Sequence, residues 1–370
     1  MYQALALAEQ GRGLVEPNPM VGCVLVKDGH ELGQGYHEQF GGPHAEVQAL
    51  HDAKRRGETV HGATAYVTLE PCCHQGKTPP CADAMVEAQV ARVVIAMVDP
   101  DQRVSGRGIA KLREAGIEVV VGVCQQQAQQ LNEPFTKRAT TGLPWVIAKW
   151  ASTLDGKVAT HTGDSKWISS PASRQLVHDL RARVDAVMVG VGTVLADDPQ
   201  LTAREVEVKR IARRVVIDPE LRMPPVSNLA LGSEPGDPPV TIGICAEMYN
   251  GPSQRVQDYA DHGITFMPLP RRENQYLDIE PLLRHLAEAH NATNVLVEGG
   301  AALVGSLVDQ GMVDQVLAFV APKILGDERG TPAITGQLRD CVDESTMLEL
   351  RDVQRIEDDV LLDYRVKRDT

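Results

Sequence analysis

The sequence predicts an α/β protein of two domains. Three observations predict it. The chain has 370 residues, more than twice the roughly 150 residues of an ordinary domain. Short β-branched runs alternate with amphipathic helical patterns in both halves, which implies layered sheets with parallel pairing. Hydrophobic residues make up 43% and charged residues 24%, the ordinary globular mix, with enough apolar material for more than one core.

In chain order, residues 3–10 read as a short helix, PNPMVG as a turn and CVLV as a buried strand, followed by a polar hairpin KDGHELGQG. HAEVQALHDAKRRG is an amphipathic helix that starts after GGP and stops at Gly57. ATAYVTLE is a strand, a Cys- and Pro-rich loop follows, and ADAMVEAQV is a helix. RVVIAMVDP and IEVVVGV are strands flanking the helix IAKLREAG, and the polar stretch from Gln125 reads as a helix and linker. The domain boundary is placed near Gly142 to Pro144, giving domains of 1–143 and 144–370. The second domain opens with WVIAKWA, then a helix SRQLVHDLRARV, the strands DAVMVGV and RRVVID, and a surface loop from Met223 to Pro239. VTIGIC, the helix IEPLLRHLAEAH, the strand NVLVEGG, the helix AALVGSLVDQG and two late strands complete it.

The formal net charge is −13 and only 4% of residues are aromatic. A general nucleic-acid binder needs basic surface, so no nucleic-acid partner is expected. No window of about 18 apolar residues and no basic start followed by an apolar core is present, so a cytoplasmic protein without membrane contact is expected. Of seven cysteines, Cys72, Cys73 and Cys81 crowd together. That spacing points to a metal site or thiols and not to a disulfide framework.

His44-Ala45-Glu46 opens a helix, and Glu70-Pro71-Cys72-Cys73-His74 precedes Cys81. One imidazole and two thiolates, from His44, Cys72 and Cys81, are the ligand set of a single Zn²⁺ with a fourth position open for water. The metal would lower the water's pKa towards 7, and Glu46 would carry its proton to a departing amine. Zinc nucleobase deaminases carry this H-x-E and P-C-x-x-C arrangement. Here eight residues instead of two separate the cysteines. Cys73 is the alternative ligand to Cys72, which is preferred because it follows Pro71 directly. A closed structural zinc site is the competing reading, although it has no use for an adjacent Glu.

PNPMVGCVLV, HAE, TLEPCCHQGKTPPC and MVDPDQRVSGRG, followed by KWASTLDGK, SKWIS, GVGTVLADDPQLTAR and VEGG, closely resemble the RibD family of bifunctional riboflavin-biosynthesis enzymes. The resemblance covers nearly the whole chain. It implies a cytidine-deaminase-like three-layer domain that deaminates a diaminohydroxyphosphoribosylaminopyrimidine, and a dihydrofolate-reductase-like domain that reduces the ribosyl group of the product with NADPH. It assigns Asn18, His37, His74, Lys77, Asp99 and Asp101 to the pyrimidine and phosphate pocket; position 101 is often Asn in the family. Ala151, Trp167, Thr193, Asp197 and the run Gly300, Ala301, Ala302, Leu303, Val304, Gly305, Ser306 fall at NADPH-contact positions. Ser165, Arg181, Leu201, Arg204 and Glu298 fall at reductase substrate positions, and Lys149, on the strand entering the site, is a further candidate.

The two arginines suit a sugar phosphate because guanidinium binds phosphate oxygens bidentately. Gly190-Val191-Gly192-Thr193 and Glu298-Gly299-Gly300 each end a strand. They are glycine turns without the third glycine of a Rossmann fingerprint. Bland alternatives stay open: Asn18 as a turn residue, Asp197 as a stabiliser of the Asp-Asp-Pro turn, Trp167 as core and Arg181 as a helix cover. Two rival functions are a nucleic-acid-editing deaminase and a zinc-stabilised scaffold without turnover. Small phosphoribosylaminopyrimidines are the expected partners, and a homo-oligomer the expected assembly.

Overall fold

The computed structural model describes residues 1–370 except 74–79, 103, 232–236, 252–253 and 369–370. It divides into two compact units, Met1–Gly142 and Leu143–Thr370.

The first unit runs α1 (Tyr2–Glu9), β1 (Gly22–Lys27), β2 (His30–Tyr36), α2 (Ala45–Arg55), β3 (Thr64–Val67), α3 (Cys81–Glu87), β4 (Arg92–Ile95), α4 (Arg107–Glu114), β5 (Glu118–Val121), α5 (Gln125–Leu131) and α6 (Glu133–Thr141). Its sheet has the order β2-β1-β3-β4-β5. β1 is antiparallel to β2 and β3, and β3, β4 and β5 are parallel. The polar hairpin turns at Asp28-Gly29, where both residues adopt positive φ, as a tight two-residue connection requires. Helix α2 presents Ala45, Ala49 and Ala53, all fully buried, to the core built on Leu25, Met85, Ile95 and Leu112. Small residues at i, i+4 and i+8 let the helix backbone lie close to the sheet.

The stretch from Gln125 differs from its reading as a helix and linker. Leu131 and Asn132 are buried and Phe135 packs on the first unit's core. α5 and α6 are therefore part of that unit's wall.

The second unit runs β6 (Trp145–Thr153), β7 (Lys157–Ala159), α7 (Pro171–Arg181), β8 (Ala186–Gly190), α8 (Val191–Asp197), β9 (Arg213–Ile217), α9 (Asn228–Leu231), β10 (Thr241–Cys245), α10 (Ala246–Asn250), α11 (Gln254–Asp261), β11 (Thr265–Leu269), α12 (Glu280–His290), β12 (Asn294–Val297), α13 (Ala301–Asp309), β13 (Gln315–Ala321), β14 (Thr331–Pro332), β15 (Leu348–Ile356) and β16 (Asp359–Val366). The nine-stranded sheet has the order β11-β10-β9-β8-β12-β6-β13-β16-β15. All pairings from β11 to β13 are parallel, and the β15–β16 hairpin adds an antiparallel edge.

Successive residues of the central strands enter opposite cores. Val146, Ala148, Val295 and Val297 pack with α12 and α13, whereas Ile147, Val187, Val189 and Leu296 pack with α7 and α9. Period-two alternation with both faces apolar is the pattern of a sheet covered on both sides. The segment from Met223 is not simply a surface loop, because Met223 and Leu229 are fully buried. α8, α10, α11, β7, β11 and β14 add to the elements that the sequence patterns predict.

Candidate active sites

Local structure delivers the three candidate zinc ligands from two helix starts and one loop. His44 stands at the N-cap of α2, so Glu46 falls in that helix's first turn and is 3% exposed. Cys81 is the first residue of α3, and its backbone amide donates to Cys72 Sγ at 3.3 Å. His44 Nδ1 lies 3.6 Å from Cys72 Sγ and 3.3 Å from Cys81 Sγ. The three ligand atoms lie within 4.8 Å of one another. This is the only such group of three found among the described residues, and Cys73 is outside it.

Burial raises the Glu46 carboxyl to about 7, and negative charge on Cys72 pushes the same way. The hydrogen bond between the two thiols lowers Cys72 and raises Cys81, so only one of them ionises readily. A dication removes that conflict, and two thiolates with one imidazole nitrogen are zinc's preferred donors. The residues fit the metal.

The cluster opens into a cavity of about 350 Å³ lined by Asn18, His37, His44, Glu46, Cys72, Asp99 and Asp101, among others. Asn18 Nδ2 and His37 Nε2 are 3.1 Å apart, and His37 Nδ1 is 3.0 Å from the Pro43 carbonyl. With Nδ1–H donating to Pro43 and Nε2 accepting from Asn18, the ring is neutral, and burial lowers its pKa accordingly. Asp99 is buried and accepts from the Asp101 amide at 2.8 Å. His74 and Lys77 lie outside the described residues.

Glu70 has a role that the motif alone did not disclose. Its carboxylate accepts from the amides of Gly106 (2.9 Å), Gly108 (2.9 Å), Ile109 (3.2 Å) and Asp99 (3.3 Å). It thus caps the start of α4 and ties down the loop that carries Asp99 and Asp101. Gly108 is required there, since a Cβ would stand 2.0 Å from the Pro71 carbonyl oxygen. Glu70→Ala strands these amides, and an expected loss of at least about 3 kcal/mol is measured as an earlier urea transition of the first unit, with Glu70→Gln milder.

In the second unit a cavity of about 780 Å³ is lined by Lys149, Ala151, Ser165, Trp167, Arg181, Thr193, Asp197, Leu201, Arg204 and Glu298, among others. Ser165 Oγ approaches Asp197 Oδ1 at 3.4 Å, with Lys166 Nζ 3.6 Å from the same oxygen. Trp167 is not core: it is 62% exposed and carries the Arg174 guanidinium 4.3 Å from its ring centre.

Three groups of the expected contact residues are engaged by their surroundings. Arg181 is not available as a phosphate fork, because its Nε and Nη2 bind Glu298 at 2.5 and 2.9 Å and its Nη1 binds the Thr202 carbonyl at 3.2 Å. Lys149 Nζ is 3.5 Å from the same carboxylate. Burial opposes ionisation of Glu298, yet Arg181 and Lys149 hold it down at about 2. Burial lowers Lys149 against the pull of Glu298. Two cations on one carboxylate leave the floor of the cavity with one net positive charge.

Next, Leu303, Val304, Gly305 and Ser306 turn into the protein. Leu303 and Val304 belong to the core, Ser306 Oγ accepts from Gln310 at 2.9 Å, and a Cβ on Gly305 would stand 1.9 Å from the Thr335 carbonyl oxygen. Gly300, Ala301 and Ala302 remain as the start of α13, whose first amides have no intrahelical acceptor. A Cβ on Gly300 would lie 3.3 Å from Thr193 Oγ1, so the glycine keeps a cradle open beside that hydroxyl. Such a cradle at a helix start suits a pyrophosphate. Lastly, Leu201 is 3% exposed and packs in the core, and it also lines the cavity.

Arg204 lines this cavity, as does Arg174. Arg204 Nη1 donates to Gln200 Oε1 and Thr202 Oγ1, and among the described residues Arg204 forms no ion pair with a carboxylate. One face of α7 fixes its loop: Gln175 donates to the Glu205 carbonyl (2.9 Å), His178 Nδ1 accepts from the Arg204 amide (3.2 Å) and Arg181 donates to Thr202. Leu201 and Glu205 adopt positive φ at the two ends of this turn, a cost that the three anchors offset.

Fold and sites together define a two-headed enzyme, with a zinc-dependent deaminase of the cytidine-deaminase fold in the first unit and a dihydrofolate-reductase-like reductase in the second. Residues 1–97 match the family model of the cytidine and deoxycytidylate deaminase zinc-binding region, and residues 144–362 match that of the RibD C-terminal domain. The chain belongs to the RibD family. It is 44% identical to the riboflavin biosynthesis protein RibD of Aquifex aeolicus over 327 residues, covering 88% of this chain and 87% of that one. Identity to the Escherichia coli protein of the same name is 39%, covering 98% and 97%. Among solved structures, Acinetobacter baumannii RibD superposes with a TM-score of 0.84 at 36% identity, covering 99% of this chain and 98% of that one. A Thermotoga maritima diaminohydroxyphosphoribosylaminopyrimidine deaminase/5-amino-6-(5-phosphoribosylamino)uracil reductase gives 0.84 at 38%, covering 99% and 97%.

Proposed function

We propose that the first unit hydrolytically deaminates 2,5-diamino-6-(5-phosphoribosylamino)pyrimidin-4-one and that the second reduces the ribosyl group of the product to ribityl, as successive steps of riboflavin biosynthesis. The observation that carries this reading is the coexistence in one RibD-family chain of the His44–Cys72–Cys81 cluster and the charged Lys149–Glu298–Arg181 cavity.

His44, Cys72 and Cys81 would hold the zinc, which keeps one position for water and supplies a nucleophile at neutral pH. Glu46, buried in the first turn of α2 beside the cluster, takes a proton from the attacking water and hands it to the departing amine. Asn18 and His37 form a fixed donor–acceptor pair against the pyrimidine, and Asp99 and Asp101 sit on the loop that Glu70 holds. In the second unit Thr193 and the start of α13 would hold NADPH, which supplies the hydride. Ser165 and Lys149 orient the open-chain sugar, Asp197 stands beside Ser165 on the cofactor side, and Arg204 takes the sugar's phosphate. Assaying ammonia release and NADPH oxidation on the phosphoribosylaminopyrimidine tests the reading, and the absence of both refutes it.

Arg204→Ala is expected to raise KM for the deaminated substrate roughly tenfold to a hundredfold, the value of one charge-assisted contact, with KM for NADPH unchanged. A rise confined to NADPH contradicts the assignment.

We further propose a cytoplasmic homo-oligomer that contacts neither membrane nor nucleic acid. Supporting this, no described helix is long and apolar enough to cross a membrane, and the net charge is −13. β15 is an edge strand with Leu348, Leu350 and Val353 exposed. Such an edge calls for a partner, and light scattering on the wild type and Leu350→Glu measures it.

A further inference from the structure

The parallel sheet of the second unit has two ends, and the reductase cavity occupies one of them. Val189, near the C-terminal end of β8, and Glu298, just past that of β12, line that cavity. At the N-terminal ends of the same strands stands a smaller cavity of about 230 Å³, lined by Asp185, Arg210, Ile211, Arg213, Leu286 and His290, among others. It shares no lining residue with either active-site cavity. Strand alternation brings its residues together. Arg213, which opens β9, shares a face with Val215 and Ile217, and these pack with Leu282, Leu283 and Leu286 of α12. Only residues 291–293 separate α12 from the start of β12. The last turn of α12, with His290, therefore comes down at the same end of the sheet.

Asp185 is the one carboxylate among the described lining residues, and it is committed. Its Oδ1 binds Arg210, and its Oδ2 accepts the amides of Thr293 at 2.8 Å and Asn294 at 2.9 Å. Asp237, beside the lining residue Pro238, pairs with Arg214 at 3.6 Å. Arg213 forms no ion pair with a carboxylate among the described residues. Its Nη2 donates instead to His290 Nδ1 at 3.2 Å, and the His285 ring centre lies 5.2 Å from that of His290. Burial lowers His290, and the Arg213 charge pushes the same way. Two groups able to carry positive charge thus face each other with no counterion between them, an arrangement that an anion stabilises. A guanidinium meets phosphate oxygens as a fork. The volume is below the roughly 300–1,000 Å³ of sites for drug-sized ligands, so the cavity admits a small group and not a dinucleotide.

We propose that this cavity is an anion site separate from both active sites, in which Arg213 and His290 hold the phosphate dianion of a small ligand. The apolar wall of Ile211 and Pro238 suits the carbon portion of a monoester.

The test is calorimetric titration of the full chain with inorganic phosphate and, separately, with phenyl phosphate, in an Arg204→Ala background that removes the arginine proposed for the sugar phosphate. Adding Arg213→Gln is expected to weaken binding of both probes roughly tenfold to a hundredfold, and adding His290→Ala, at an exposed position, to weaken it less. Phosphate bound in the deaminase cavity is common to all these variants and cancels in the comparison. Unchanged affinity on adding Arg213→Gln overturns the proposal. If that variant does not fold, His290→Ala decides, and unchanged affinity there overturns it. Tighter binding of phenyl phosphate identifies a monoester as the occupant, and equal or weaker binding identifies free phosphate; either supports the site. In the otherwise wild-type chain, Arg213→Gln is expected to leave ammonia release and NADPH oxidation unchanged, and a loss of either overturns the separation from the active sites.

Discussion

Glu46→Gln is expected to release no measurable ammonia from the diaminopyrimidine while reducing the already deaminated compound at close to the wild-type rate. Glu46 is 3% exposed, stands in the first turn of α2 and lines the zinc-side cavity. The amide is nearly isosteric with the carboxyl, so the fold and the metal are expected to survive, but it cannot accept the water's proton. Removing a general acid–base group costs at least about a hundredfold in rate. The groups proposed for reduction all lie in the second unit, from Lys149 onward. Loss of reduction in a folded, zinc-loaded Glu46→Gln enzyme would replace the two-site description with a shared or strongly coupled site.

Cys72→Ser is expected to lose both zinc and deamination, and Cys73→Ser to retain both. Cys72 Sγ lies beside His44 Nδ1 and accepts the Cys81 amide; Cys73, its neighbour in the chain, is outside the cluster. A serine hydroxyl is a far weaker zinc ligand than a thiolate, because it does not ionise at neutral pH. Elemental analysis and ammonia release measure the two effects. Full zinc in Cys72→Ser together with none in Cys73→Ser assigns the ligand to the other cysteine. Reduction of the deaminated compound is expected to be unchanged in both variants.

The sequence by itself determined the chemistry of the first unit's candidate site and the layering of both units. A zinc site needs particular donor atoms, and His44, Cys72 and Cys81 each sit at a local feature, a helix start or a proline turn, that the chain announces within a few residues. Buried strands such as Arg92–Ile95 and Asn294–Val297 are apolar on both faces because helices cover both sides. Only the tertiary structure decided which polar side chains remain free for a ligand. Arg181 and Arg204 read alike as phosphate arginines, but Arg181 meets Glu298, 117 residues away, and is committed to it. Leu303 to Ser306 look like the continuation of a glycine cradle until Thr335 packs against Gly305. The stretch holding α6 reads as a linker because its polar face is the informative one, and that face becomes a cavity wall through a bridge between Asn132 and Met20 across 112 residues. Spacing along a helix or strand encodes which residues share a face. The partner that each face meets is set by long-range contacts, whose energies depend on burial and distance and leave no local trace.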